Sequence, residues 1–281
     1  MTALNIAFVG GGNMAAALIA GLANKLTAGR NIHVIDPHAP ALEKLQAQFE
    51  VSTAGTADAA LRDADVIVLA VKPQSMREVA AQVLPFLSTD KTPLVLSIAA
   101  GIRAVDLSRW LGGYGAIVRA MPNTPALIGM GITGLVASSG VTAQQREQAD
   151  AILKAVGSTV WLADEAQIDP VTAVSGSGPA YVFYFIEAMQ QAASELGLSA
   201  EQGTQLAIVT FTGAAQLAAQ SSEPVALLRE RVTSKGGTTY AALTSMEEAG
   251  VKQRIVDGIK AAAARGRELG EELGKLDRRS D

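Results

Sequence analysis

Directly after a short apolar run, Leu4–Val9, the chain reads Gly-Gly-Gly-Asn-Met-Ala over residues 10–15. That is G-x-G-x-x-A, with Gly10, Gly12 and Ala15 in the places where a dinucleotide fold needs small residues. Gly10 would make the tight turn, Gly12 would let a pyrophosphate approach the backbone, and Ala15 would let helix and strand pack closely. The anion would rest on N–H groups at a helix start, where orphan donors and the helix dipole favour negative charge. An ordinary glycine-rich turn is the alternative. The order strand, motif, helix, second strand favours the nucleotide.

Other residues extend that edge. Asp36 ends the second strand, where an acid accepts from adenosine ribose hydroxyls and repels a 2′-phosphate. Asp before Pro37 is equally suited to a plain turn. His38 offers a donor to a 2′-phosphate, so the sequence leaves NADH and NADPH open, with NADH expected to serve at least as well. Lys72, held extended by Pro73, ends another strand as either a cofactor contact or a solvated terminus. Ser97-Ile98-Ala99-Ala100-Gly101 ends the next with small residues, which leave room for a nicotinamide ring. Met121-Pro122-Asn123-Thr124-Pro125 closes one more. Each is explicable as a turn, and together beside a dinucleotide fingerprint they predict a site.

Composition narrows the chemistry. The 281 residues contain no Cys and only two His, His33 and His38. Thiolate metal sites, cysteine nucleophiles and disulfide scaffolds are excluded, and little remains for a His-based metal site or a serine-hydrolase triad. No metal is expected. Net charge −4 gives no electrostatic case for nucleic acid. The N-terminus, Met1–Asn5, lacks the basic opening of a secretory signal, and the uncharged stretches 123–145 and 202–222 read as buried core. The expectation is a protein of the cytoplasm with no membrane partner. A mean hydropathy of +0.24 suggests that much surface goes into an interface.

The elements that must hold these residues fall into two halves. Leu4–Val9, Asn31–Ile35, Asp65–Val71, Pro93–Ile98, Ala116–Ala120 and Val160–Ala163 read as strands between helical stretches. Continuous apolar strands of this kind predict a parallel sheet covered on both faces. After about Asp164 only helical periodicity remains. The predicted class is α/β, a Rossmann domain over 1–164 followed by an all-helical domain over 165–281. Gln202–Ala219 is apolar nearly all round, and with Tyr181, Phe183, Tyr184, Phe185 and Ile186 it exceeds what so small a domain can bury. An obligate partner surface follows. The charged tail from Arg265 reads as a fraying, solvated helix end.

Taken in order, Gly-Gly-Gly-Asn-Met-Ala (10–15), Ala-Val-Lys-Pro-Gln (70–74), Met-Pro-Asn-Thr-Pro (121–125), Ser-Gly-Ser-Gly-Pro-Ala-Tyr (175–181) and Val-Thr-Ser-Lys-Gly-Gly-Thr-Thr (232–239) resemble pyrroline-5-carboxylate reductases. The resemblance spans essentially the whole chain, and the last two motifs carry most of its specificity. It implies reduction of pyrroline-5-carboxylate to proline with NADPH or NADH. It also implies an interlocked homodimer that can associate further, with its active site at the dimer interface. By motif, cofactor contacts fall on Gly11, Asn13 and Met14, on Ala70, Val71, Lys72 and Pro73, and on Ile98, Ala99 and Ala100. Thr56 stands on the adenosine side where the family often has Asn, and Lys235 where it often has Pro. Both departures bear on cofactor preference.

Elementary chemistry supports the same reaction. Reducing a ketone or aldehyde usually needs a strong proton donor, and neither His lies near the substrate edge. A cyclic imine arrives partly protonated and accepts hydride without a strong enzyme acid, so the protein need only orient substrate and balance charge. Ser234-Lys235-Gly236-Gly237-Thr238-Thr239 precedes a helix and offers unsatisfied N–H groups and hydroxyls, enough to hold a carboxylate without arginine. Capping by Ser234 or Thr238 is the alternative, and it needs no double glycine. Ser175–Pro179 reads equally as a helix break or a substrate contact. By resemblance, Thr239 sits beside the substrate nitrogen, Ser234, Gly237 and Thr238 hold the carboxylate, and Glu165 lies near the ring. The competing enzyme reading, a β-hydroxyacid or phosphogluconate-type dehydrogenase, calls for a helical Lys that residues 165–199 lack. The non-enzyme reading is a nucleotide-sensing protein of the same fold.

Overall fold

The computed structural model describes residues 4–23, 25–87 and 91–275. Met1–Ala3 and the last residues of the charged tail lie outside them. Two compact units divide the chain: Met1–Ser177 with Ala262–Asp281, and Gly178–Ala261.

The first unit is built on an eight-stranded sheet, β1 (Ile6–Val9), β2 (Ile32–Ile35), β3 (Ser52–Ala54), β4 (Val66–Leu69), β5 (Leu94–Ser97), β6 (Ile117–Met121), β7 (Gly131–Ala137) and β8 (Gly157–Trp161), in the order β3-β2-β1-β4-β5-β6-β7-β8. Its helices are α1 (Asn13–Leu22), α2 (Ala39–Phe49), α3 (Ala60–Asp63), α4 (Met76–Val83), α5 (Ala104–Trp110), α6 (Ala143–Lys154) and α7 (Ile168–Val171). Alternate strand residues feed two cores. Ile6, Phe8, Val68 and Leu96 pack with Leu18 and Leu22 of α1, Leu45 of α2 and Ile152 of α6. Val9, Ile67, Leu69 and Val95 pack with Leu61 of α3, Met76 and Val83 of α4 and Leu107 of α5. Strands buried on both faces need apolar residues at every position, which is why they read as continuous runs. Each such buried side chain contributes about 1.5–3 kcal/mol.

The sheet is larger than the sequence suggested. β3 is a short added edge, and β7 pairs antiparallel with β6 within the stretch read only as buried core. Glycines hide β7: a Cβ on Gly131 would stand 2.9 Å from Ala126 Cα, and one on Gly134 would stand 2.8 Å from Val171 Cγ1. They serve close packing rather than turns.

The compact units divide after Ser177, whereas the change to helical periodicity falls near residue 164. Glu165–Gly176 stay with the sheet, with Ile168 and Ala173 buried, and the tail expected to fray returns to it. The last helix, α12 (Val251–Lys275), has Gly270 and Gly274 buried. Asp106, only 2% exposed, accepts from Arg103 Nε (2.6 Å) and Arg109 Nη2 (3.0 Å), and Arg109 also donates to the Gly274 carbonyl (3.3 Å). Glycine is required at 274, because a Cβ there would stand 2.7 Å from Asp106 Oδ2.

The second unit is helical: α8 (Gly178–Glu195), α9 (Ala200–Gln220), α10 (Val225–Arg231), α11 (Thr238–Glu248) and the first part of α12 (Val251–Lys275). Ser199 and Gln202 cap α9 reciprocally. α8 meets α9 through Phe185 and Phe211, whose ring centres lie 6.2 Å apart, and through a Gln190–Thr204 hydrogen bond. Phe183, Tyr184, Val209 and Leu217 remain exposed.

Candidate active site

The residues expected to bind a dinucleotide converge on the carboxyl edge of the sheet. The strand ends are stitched there by backbone bonds: Gly10 N–H to the Ile35 carbonyl (2.8 Å), Asp36 N–H to Ala54 (3.1 Å), Ala70 N–H to Val9 (2.8 Å) and Ile98 N–H to Leu69 (3.1 Å). Gly10, Asp36, Ala70–Pro73 and Ile98–Ala100 therefore line one rim, with Thr56 exposed two residues beyond β3. This is where an open α/β sheet binds ligands.

The glycine loop is shaped for an anion. Gly10 has φ +105°, and a Cβ there would meet the Ala70 carbonyl at 2.6 Å, so no other residue fits. Gly12 is the N-cap of α1 and provides no side-chain cap, while a Cβ on it would meet nothing within 4 Å. The start of α1, with Asn13 exposed and Met14 half-buried, is thus left open at its positive end. A pyrophosphate fits this cradle. Asp36 is both a turn residue and a lock: its Oδ1 accepts from His38 N–H (2.8 Å) and its Oδ2 from Gly11 N–H (2.7 Å). A carboxylate has further lone pairs for a ribose hydroxyl. Lys72 is exposed and extended before Pro73, as the proline dictates.

The second unit carries the loop expected to bind substrate. Gly236 turns at φ +74°, Gly237 N–H returns to the Ser234 carbonyl (3.0 Å), and Gly237 caps α11 without any side-chain bond. Simple capping by Ser234 or Thr238 is therefore not what the loop does. Thr238 and Thr239, both exposed, open an eleven-residue helix whose first N–H groups have no side-chain cap. Such a terminus suits a carboxylate.

Glu165 is not the solvated acid that its sequence context allowed. Its Oε1 accepts from Arg119 Nη1 (2.9 Å) and from Ala104 N–H (2.7 Å). Its charge is already balanced. Asn123 is a joint rather than a ligand contact: its Nδ2 donates to the Ser175 carbonyl (3.1 Å), and its Oδ1 accepts from Ile132 N–H (2.9 Å). Ser175 lies in a short π-helix, Thr172–Gly176, and its Oγ donates to the Val171 carbonyl (3.0 Å), which favours the helix-break reading of that motif. Arg119 and Asp169 were missed in the sequence. The available signal was a lone arginine in the otherwise apolar strand Ile117–Met121.

Comparison with known proteins fits this division of labour. Residues 165–269 match the family model for pyrroline-5-carboxylate reductase dimerisation, and residues 5–101 match that for coenzyme F420-dependent NADP oxidoreductases. The chain is 46% identical over 275 residues to the pyrroline-5-carboxylate reductase of Pseudomonas aeruginosa, covering 98% of this chain and 100% of that one. The structure of a pyrroline-5-carboxylate reductase from Coxiella burnetii superposes with TM-score 0.89 at 38% identity, covering 95% of this chain and 99% of the other. The Plasmodium falciparum pyrroline carboxylate reductase, crystallised with NADP bound, superposes with TM-score 0.84 at 30% identity over 96% and 99%. An open glycine cradle on one unit, an uncapped Gly-Gly-Thr-Thr helix start on the other and full-length likeness agree: the chain belongs to the pyrroline-5-carboxylate reductase family.

Proposed function

We propose that the chain carries out the reaction of its family, reducing the C=N bond of 1-pyrroline-5-carboxylate to give proline, in the cytoplasm and as a homodimer. NADPH or NADH, when bound, supplies the hydride. Among the described residues no helix is long and apolar enough to cross a membrane, and no group of His, Asp and Glu is arranged for a metal.

The observation that carries this reading is the uncapped start of α11. Ser234, Gly237 and Thr238 would hold the substrate carboxylate with hydroxyl and N–H donors. Thr239 would orient the imine nitrogen and pass it a proton by way of water, since an unperturbed threonine is a poor acid. Gly10–Met14 would hold the pyrophosphate, Asp36 and Thr56 the adenosine side, Ala70–Pro73 the middle, and Ile98–Ala100 the nicotinamide. Glu165 would lie near the substrate ring, with its Oε1 held by Arg119.

Absorbance at 340 nm with pyrroline-5-carboxylate tests the reading. Dinucleotide oxidation with proline formed in equal amount is expected. Tight binding of NADPH without turnover would mean a nucleotide sensor instead. With Asp36 at the end of β2, NADH should serve at least as well as NADPH, and a hundredfold preference in kcat/KM for NADPH would overturn that expectation.

A further inference from the structure

β6 is an apolar strand with one exception. Arg119 stands between the buried Val118 and Ala120 and is itself 4% exposed. Its register partner on β5 is Ser97, so both side chains point to the same face of the sheet, the face of Val95 and Ile117. Arg119 Nη1 donates to Glu165 Oε1 at 2.9 Å, and its Nη2 lies 4.0 Å from Asp169 Oδ1. The same Glu165 oxygen accepts the Ala104 N–H at 2.7 Å. Ala104 is the first residue of α5 and the landing point of the loop that leaves Ser97.

One end of that loop is therefore tied to a buried guanidinium and the other starts beside it. Its take-off is the strand residue beside Arg119, and its landing is the amide held by the carboxylate that Arg119 holds. The arrangement is a costly way to obtain stability. A charge taken out of water must regain its hydration from partners, and an apolar residue like its neighbours would fill the position more cheaply. The cost is compounded, because Arg119 Nε and Ser97 Oγ are both buried without hydrogen-bond partners among the described residues. Local costs of this kind concentrate where a fold serves function.

We propose that Arg119 is a positioning residue: through Glu165 it fixes the loop 98–103 on which the nicotinamide would lie. This rests on the dinucleotide reading of the sheet edge. It assigns Glu165 a task on the cofactor side of the reaction, distinct from offsetting charge on the imine.

The test uses the full-length protein and two readouts besides turnover: amide hydrogen exchange over residues 101–104 without cofactor, and NADPH binding followed by fluorescence. Arg119→Met is expected to speed exchange in that stretch and to weaken NADPH about tenfold at unchanged binding stoichiometry. Arg119→Lys, which keeps the cation, should recover part of both. Wild-type exchange and affinity in a folded Arg119→Met would overturn the proposal. Should that variant not fold, Glu165→Ala decides, since it removes both the acceptor of the Ala104 N–H and the nearer counter-charge of Arg119. Weakened NADPH binding supports the proposal and wild-type affinity sinks it. Failure of the wild-type protein to bind NADPH would instead remove the dinucleotide reading and this proposal with it.

Discussion

The two units solve the burial problem in opposite ways. The first unit covers its own sheet: Phe8, Ile67, Leu69 and Leu96, with Leu18 of α1, are fully buried within that unit. In the second, α8 has no buried residue, α9 buries only Gly203 and Ala207, and Phe183, Tyr184, Val209 and Leu217 stand more than half exposed. An apolar hollow of about 610 Å³ opens among Tyr181, Tyr184, Phe185, Met189, Ile255 and Ile259. A self-sufficient core and a core cut in half therefore lie in one chain. The self-sufficient unit carries the groups expected to bind the dinucleotide, and the half-core unit carries those expected to do chemistry.

The strongest test of that partition is Thr239→Ala. It should lower kcat on the order of ten- to a thousandfold, while NADH affinity, followed by fluorescence, stays near wild type. Thr239→Ser should recover much of the rate. More than half of wild-type kcat in Thr239→Ala would leave the loop as a carboxylate clamp only.

The complementary test lies in the first unit. Gly12→Val adds a side chain where nothing in the protein stands within 4 Å, so the melting temperature should hold. It would, however, obstruct an anion at the start of α1, and losing charge-assisted bonds there should weaken NADPH by about ten- to a hundredfold. Gly10→Ala should fail in both respects, because its positive φ and the Ala70 carbonyl penalise the fold itself. Equal melting temperatures for the two variants would contradict this contrast.

Next in size is the assembly. Sedimentation of the wild type at low micromolar concentration should show no 29.0 kDa species. Leu217→Glu, which puts a charge on an exposed apolar face of α9, should produce one. A folded, active wild-type monomer would end the half-core description.

The smallest effect belongs to the first unit alone. Burial pushes the Tyr114 hydroxyl up to about 12, and the group donates to the Pro93 carbonyl at 2.5 Å. An acid whose folded value is raised stabilises the fold fully below its unfolded value, about 10, and loses that contribution as pH climbs past it. Stability should fall as pH rises from there to about 12, and Tyr114→Phe should flatten that limb. An unchanged slope in Tyr114→Phe would assign it to other groups.

What the sequence disclosed follows the same contrast. β1, β2, β4, β5 and β6 were legible because burial on both faces leaves only apolar residues. The glycine motif was legible because only glycine tolerates Gly10's backbone. β7 was not, since Gly131 and Gly134 look like turn residues until Ala126 and Val171 are seen against them. The pairing of Glu165 with Arg119 joins residues 46 apart, and no local pattern records it. The docking of the last helix was masked by its charges, although Gly266, Gly270 and Gly274 recur every fourth residue and place small residues on one side.

That last helix also sets an order on the ribosome. Because residues 262–275 belong to the first unit, the sheet is complete in sequence long before its surface is closed. Through the synthesis of residues 178–261, Asp106 with Arg103 and Arg109 waits for the Gly274 carbonyl and the backbone around it. Domains ordinarily fold in turn as they emerge. Here the unit made first is finished last, so a chain stopped short of residue 275 carries an unsealed first unit as well as a shortened end.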